Sequence, residues 1–305
     1  MTAETVSLID LAGMFPDEET ARLWFEKARW PNGVQCAYCD SGDMVDQVPN
    51  LKPMPWRCAD CKRYFSVRTH TVMARSPLPY KTWAYAMFLI TTAKKGISSH
   101  QLARDLGITQ KSAWYLGHRI RDAMAASGEL PRMKGPVEVD ETFVGGKYSN
   151  MHSAKRRQKP EKFPVIGVLD RETGEVRAMA VDSIGGDTLP DFVERHVKWG
   201  AVVNSDDAAF YRELPRRGYI HGIVSHSTGQ FVDGHNHTQG IESHWATIKR
   251  AYKGAFHWLS RKHLQRYVDE FSFKATCRDI DTHGQMLEIA WRMQGRSLTW
   301  AALVG

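Results

Sequence analysis

The chain has 305 residues, of which 42% are hydrophobic and 25% charged, with a formal net charge of +7. That length builds a full core with one or two small modules beside it, and the composition is that of a globular protein. The longest apolar run, Trp83 to Ile90, is too short to cross a bilayer, and no charged stretch leading into an apolar one opens the chain as a signal peptide would.

No membrane partner is therefore expected, and a bacterial or otherwise reducing cytoplasm is the expected compartment. The charge is unevenly spread: residues 1–30 hold six acids against three bases, which leaves +10 on the remainder. An excess of that size suits a polyanionic partner, although a basic but inert surface accounts for it equally well.

Residues 1–30 read as a helical leader, with Leu8, Leu11, Phe15, Ala21 and Phe25 directed inward. A cysteine-rich module follows over residues 31–72. Its CAYC (Cys36, Cys39) and CADC (Cys58, Cys61) pairs are separated by eighteen residues. Two tight turns bearing thiolates at that spacing complete a tetrahedral site for one structural Zn2+ and leave no open position for catalysis. Redox CxxC motifs and a rubredoxin-like iron site are the alternatives. Trp56, Arg57, Lys62, Arg63, Tyr64 and Arg68 interleave bases with aromatics, as a ribbon facing nucleic acid would. The fifth cysteine, Cys277, is unpaired in sequence and reads as a plain thiol.

An all-helical stretch covers residues 77–127. Within it, GISSHQLARDLGITQKSAWYLGHRI has the form of a helix-turn-helix. Ser98 or Ser99 caps a first helix, Gly107 permits the turn, and Thr109 caps a second helix with Ala113, Leu116 and Ile120 inside. Gln110, Lys111, Ser112 and Tyr115 then face outward near the start of the second helix, where bases are read. Helical hairpins with glycine turns also occur without DNA. The apolar helix from Tyr80 to Thr92 reads as a packing partner.

A mixed α/β domain spans residues 135–276. VEVDETFVGG, FPVIGVLD and EVRAMAVD read as strands, with RETG as a hairpin turn between the last two. A helix from Thr188 to Val197, the strand AVVNSD, a helix near Ala208 to Leu214 and a strand near Ile220 to Val224 follow. Two helices, about 237–252 and 260–275, come last. This order implies an α/β sheet with helices on both faces. Residues 277–305 form a tail in which one helix, Met286 to Met293, is legible.

Three carboxylates stand out in that domain. Asp140 lies mid-strand, where aspartate is disfavoured, and the alternation puts Glu141 on the opposite face. Asp206 ends AVVNSD, at the carboxyl end of a strand where α/β sheets bind ligands. Glu242 sits on IESHWATIKR, whose Ile241, Trp245 and Ile248 make a buried stripe. Such acids can hold a pair of Mg2+ ions for in-line phosphoryl displacement, whereas each alone reads as a solvated surface residue.

These stretches resemble the bacterial insertion-sequence transposases of the ISXO-like group, DDE enzymes with an N-terminal zinc ribbon. The likeness rests on SPLPYKTWAYAMFLITTAKKGISSHQLARDLGITQKSAWYLGHRIRDAM, VEVDETFVGGK and HTQGIESHWATIKRAYKGAFHWLSRKHLQRYVDEFSFKAT, and with the ribbon covers roughly residues 30–276. SDD and HTQGIE depart slightly from the group's usual TDE or TDG and HTNTIE-like runs.

The resemblance implies an RNase H-like catalytic domain in which Asp140, Asp206 and Glu242 bind two Mg2+ (or Mn2+) ions. It implies binding of double-stranded DNA, both the terminal inverted repeats and the target, with cleavage of a phosphodiester and strand transfer by the freed 3′-OH. A homodimer or higher assembly in a nucleoid-associated synaptic complex follows, since two ends must be joined. Lys249 matches a basic position that contacts DNA phosphate.

Arg250, Lys253, Arg261 and Lys262 extend that basic face, and Lys155, Arg156 and Arg157 in HSAKRRQKPEK supply a further block of positive charge. His237 and His244 flank Glu242 and read as packing or phosphate-binding histidines. HNH at 235–237 and the His263, Arg266, Tyr267 set fit neither an HNH nuclease nor a tyrosine recombinase. A catalytically silent zinc-ribbon regulator and an RNase H-like nuclease are the rival functions.

Overall fold

The computed structural model describes residues 6–49, 53–126, 128–145, 162–206, 208–224 and 237–305. The chain divides into two compact units, Met1–Met124 with Asp279–Gly305, and Ala125–Arg278. The first unit opens with α1 (Leu8–Met14) and α2 (Glu18–Arg29), capped by Ser7 and Asp17. Leu11, Phe15, Ala21 and Phe25 are buried as expected, but Leu8 is exposed. It lies one residue before Ile9, itself exposed, in a first turn whose buried side begins at Leu11.

Three short antiparallel strands follow: β1 (Val45–Gln47), β2 (Trp56–Cys58) and β3 (Tyr64–Phe65). Helix α3 (Tyr80–Thr92) is almost wholly buried, which fits a packing partner. Helices α4 (Ser99–Leu106) and α5 (Gln110–Met124) then form the expected helix-turn-helix. Ser98 Oγ accepts from Gln101 N (3.1 Å), Gly107 takes the left-handed conformation at φ 64°, and Thr109 Oγ1 accepts from Ser112 N (3.2 Å).

The tail belongs to this unit. Helix α9 (Thr282–Arg292) is capped by Asp281 and buries Met286, Ile289 and Ala290, and α10 (Trp300–Val304) buries Leu303. Trp24 Nε1 donates to His283 Nε2 (3.1 Å), so the leader and the tail meet. The polar first turn THGQ hid the start of α9 from an apolar reading of the sequence.

The second unit holds a five-stranded sheet in the order β6-β5-β4-β7-β8. Its strands are β4 (Val137–Gly145), β5 (Lys162–Asp170), β6 (Val176–Ala180), β7 (Val202–Asp206) and β8 (Ile220–Val224). The first three are antiparallel neighbours, and β7 and β8 run parallel to β4. Counted along the domain, the order is 3-2-1-4-5, that of an RNase H-like sheet. Asp170 Oδ1 accepts from Glu172 N and Thr173 N, and Gly174 has φ 71°, which closes the RETG hairpin.

Helices cover both faces. On one, α6 (Thr188–His196) packs Leu189, Phe192 and Val193 against Val139, Ile166, Val168 and Val203. On the other, α7 (Gln239–Ala251) and α8 (Arg261–Thr276) pack Ile241, Trp245, Ile248, Leu264 and Val268 against Val144, Val165 and Val176. The predicted stripe of α7 is buried, with Trp245 at 2% exposure, so this indole belongs to the core.

Helix α7 approaches the sheet closely at Gly167. A Cβ there would meet the indole of Trp245 at 2.6 Å. Glycine is required because the ring occupies the volume of a side chain. Gly167→Ala should therefore destabilise the protein by roughly 1–3 kcal/mol, as overpacking does. Urea unfolding should show that loss, and Trp245→Phe, which removes the two atoms that clash, should recover part of it in the double variant. A neutral Gly167→Ala would contradict the packing described.

Candidate functional site

The four expected zinc ligands converge. Cys36 and Cys61 Sγ are 3.5 Å apart and Cys39 and Cys58 Sγ 3.7 Å apart, and all four lie within 4.8 Å of one another. Thiolates bound to one zinc at ~2.3 Å stand about 3.8 Å apart in a tetrahedron. The two turns repeat one another: the residue after each pair, Asp40 and Lys62, has a left-handed φ of 58° and 59°. The donor set and spacing fit a structural zinc.

Around this ribbon the bases divide. Arg68 is internal: it donates to Ser76 O and Leu78 O and lies over the Tyr80 ring, which corrects its expected place on a nucleic-acid face. Trp56 Nε1 donates to Glu26 Oε1 (2.9 Å). Lys62 and Arg63 are exposed, Arg63 over the Tyr38 ring.

On α5, Gln110 and Lys111 are exposed and Tyr115 is half-buried. Gln110 Nε2 donates to Ser99 Oγ (2.8 Å). The tail supplies partners for the other two: Lys111 Nζ stands 4.6 Å from the Trp300 ring centre, and Tyr115 donates its hydroxyl hydrogen to Leu298 O (2.7 Å).

In the second unit the acids assemble where strands part. β4 pairs with β7 at Val137–Val203 and Glu138–Asn204, and Asn204 Nδ2 seals the join by donating to Val137 O (3.1 Å). Both strands run on past that point, β7 to Asp206. Asp140 pairs with Gly167 across β5, so its side chain points toward α7, and alternation along β7 places Asp206 on the same face as Asn204.

Carboxylate oxygens of Asp140, Glu141 and Asp206 lie within 4.8 Å of one another. Glu141 is a correction to the sequence reading. It does leave the strand on the opposite face, where Tyr211 donates to its Oε2 (2.8 Å). With no β7 neighbour paired beside it, its carboxylate reaches the same gap as Asp140. The end of the β4–β7 ladder is a tertiary fact, and nothing in VEVDETFVGG marks it.

Glu242 stands outside that 4.8 Å set, exposed in the first turn of α7, with its Oε1 accepting from Thr238 Oγ1 (2.8 Å). Its charge is nevertheless felt at Asp140. Burial, then the charges of Glu141, Asp206 and Glu242, push the Asp140 carboxyl up to about 7. Glu141 is raised as well, by burial first. Oxygen donors crowded against their own repulsion fit a hard divalent cation, whose ligands at 2.0–2.6 Å span comparable distances.

His244 is buried and its basicity is lowered to about 4 by that burial, which makes it a packing residue. Lys249, Arg250 and Lys253 are exposed. Glu242 and Lys249 stand seven residues apart on one face of α7, and Lys253 lies past the end of that helix in a π-helical turn. Arg261 pairs with Asp182 (2.6 Å). Lys155, Arg156 and Arg157 lie outside the described residues, as do Asp207 and the first two residues of HNH.

Two family models match the chain, the ISXO2-like transposase domain over residues 132–276 and the transposase zinc-ribbon domain over residues 16–64. The chain carries the domains of an ISXO2-like transposase. These two matches cover both the acidic cluster and the four cysteines, and they carry with them the DNA-binding role that such domains have. The transposase is also 24% identical over 273 residues to a protein of Halobacterium salinarum described as an uncharacterized protein in transposable element ISH50, covering 85% of this chain and 91% of that one. Among the described residues of the transposase, no helix is long and apolar enough to cross a membrane.

Elemental analysis of the purified full chain should find one zinc. Cys58→Ser, which removes a fully buried ligand, should lose that zinc and melt at a lower temperature. Stoichiometric zinc retained in Cys58→Ser would overturn the assignment.

Proposed function

We propose that this transposase binds the terminal inverted repeats of its element, cleaves a phosphodiester at each end and joins the freed 3′-OH to target DNA. The observation that carries this reading is the gathering of Asp140 and Asp206, with Glu141, in the gap where β4 and β7 separate. Glu242 completes the ligand set from α7, close enough for its charge to act on Asp140.

Two Mg2+ (or Mn2+) ions held there would neutralise the phosphate and the attacking and leaving oxygens of an in-line displacement. The chain's part is positioning. β4 and β7 fix two carboxylates on one rigid sheet, and α7 sets the third beside them. The basic end of α7, with Lys249 and Arg250, and Lys253 in the turn that follows, holds phosphates on either side of the scissile one and adds salt-sensitive affinity rather than sequence choice.

Sequence choice falls to the first unit, with Gln110, Lys111 and Tyr115 on α5 and the exposed bases of the zinc ribbon. Lys155, Arg156 and Arg157 add to the phosphate contacts. Joining two ends calls for two protomers in one synaptic complex, and this work is done where the element's DNA lies, on the nucleoid.

Strand-transfer assays on end-containing DNA with Mg2+ test the reading. Asp206→Ala and Glu242→Ala should each lower the rate by roughly 100-fold or more, the scale on which loss of one preorganised charge contact acts, with end binding retained. Lys249→Ala should weaken binding to any sequence and flatten its salt dependence. Equal activity in Asp206→Ala and the wild type would sink the site assignment. Cut but unjoined ends from the wild type would point to a nuclease, and bound but uncut ends to a regulator.

A further inference from the structure

Glu138 is a charged residue buried at 1% exposure in the middle of the sheet, and the chemistry above makes no use of it. It stands two residues before Asp140 on β4, and therefore on the same face, toward α7. Both of its oxygens are engaged. Oε1 accepts from Arg171 Nε (2.9 Å) and lies 3.1 Å from His237 Nδ1. Oε2 accepts from the backbone N–H of Ile241 (2.9 Å).

Ile241 is the third residue of α7, and its N–H is one of the orphan donors that open a helix. Helices usually satisfy such a donor with the residue before their first turn. Here Thr238 occupies the cap position but turns its hydroxyl to Glu242 instead. The cap comes from the sheet. Arg171, at the end of the β5–β6 hairpin, also donates to His237 O, so the same guanidinium grips both the capping acid and the chain entering the helix. Gly240 permits the approach, since a Cβ there would stand 2.9 Å from Glu138 Oε2.

We infer that Glu138 is a positioning residue. Clamped by Arg171, its carboxylate caps α7 and sets the height and rotation of the helix start, and so the place of Glu242 relative to Asp140 on the same strand. A carboxylate at a helix N-terminus is favoured by the helix dipole as well as by the hydrogen bond. A buried carboxylate clamped by a guanidinium keeps its geometry far better than an exposed side-chain cap would. Glu138 and Asp140 share one strand, so the helix is aligned directly to the first metal ligand. Displacing a catalytic group by about 1 Å can cost on the order of 100-fold in rate.

The inference rests on Glu242 being a metal ligand, and a double-variant cycle separates the two claims. The full-length protein is titrated with Mn2+ alone, and free Mn2+ is read by electron paramagnetic resonance. The wild type is compared with Glu138→Gln, Glu242→Ala and the double variant. Glutamine keeps the shape but cannot accept from Arg171 and Ile241 at once as a carboxylate does. Glu138→Gln should raise the Mn2+ dissociation constant nearly as far as Glu242→Ala, by about tenfold, with the double variant no worse than Glu242→Ala.

Multiplying losses in the double variant would overturn the positioning role while leaving Glu242 a ligand. An unchanged constant in Glu242→Ala would remove both claims. Should Glu138→Gln fail to fold, Arg171→Gln, which loosens the same carboxylate from its partly exposed side, decides the matter. Weakened Mn2+ binding in folded Arg171→Gln supports the clamp, and wild-type binding overturns it.

Discussion

Carboxylates that repel one another do not gather at the end of a sheet unless the backbone beneath them is held more firmly than the repulsion can push. In this protein the hold is the contact between α7 and β5, where the indole of Trp245 fills the space a side chain at Gly167 would need. Gly167 is the pairing partner of Asp140, so this close helix–sheet contact lies directly beside the first acid of the site. Packing free energy from a buried tryptophan and its stripe mates keeps α7 in place, and the charged groups are arranged on that frame. Burial first, and then the charges of Glu141, Asp206 and Glu242, raise the basicity of Asp140, and a divalent cation would relieve the repulsion among these acids.

The second constraint is the length of the β4–β7 ladder. Two paired positions join these strands, and the acids lie beyond them. Had the pairing continued, Glu141 would have been confined to the α6 face. Because it stops, side chains from both faces of β4 share one opening with Asp206. This is the crevice at the carboxyl ends of strands that α/β sheets use for ligands, produced here by divergence of two parallel neighbours.

Much of this could be read in the sequence, because strong local signals and the global fold agree. The CxxC pairs, the glycine turn between α4 and α5, the RETG hairpin and the stripe on α7 each follow from short-range rules, and the structure places them as those rules require. What escaped depends on contacts between distant segments. Glu141 was assigned by alternation alone, Leu8 by its apolar character, and Arg68 by its charge. The first depends on where a ladder ends, the second on which side of a short helix finds a partner, and the third on two carbonyls eight and ten residues further on. The tail resisted reading for the same reason, since its helices are defined by the leader and α5 rather than by their own pattern. Glu138 had a legible signal, an acid two residues from Asp140 in an apolar strand, that placed it on the catalytic face.

The central claim is that Asp140, Asp206 and Glu242 converge on bound divalent metal. Iron-directed cleavage tests it most directly: Fe2+ replaces the native ion, and ascorbate and peroxide then generate hydroxyl radicals that cut the backbone nearest the metal. The account predicts fragments ending near residues 140, 206 and 242 together, all suppressed by excess Mg2+. Cuts that omit the start of α7, or that persist undiminished in Mg2+, would contradict it.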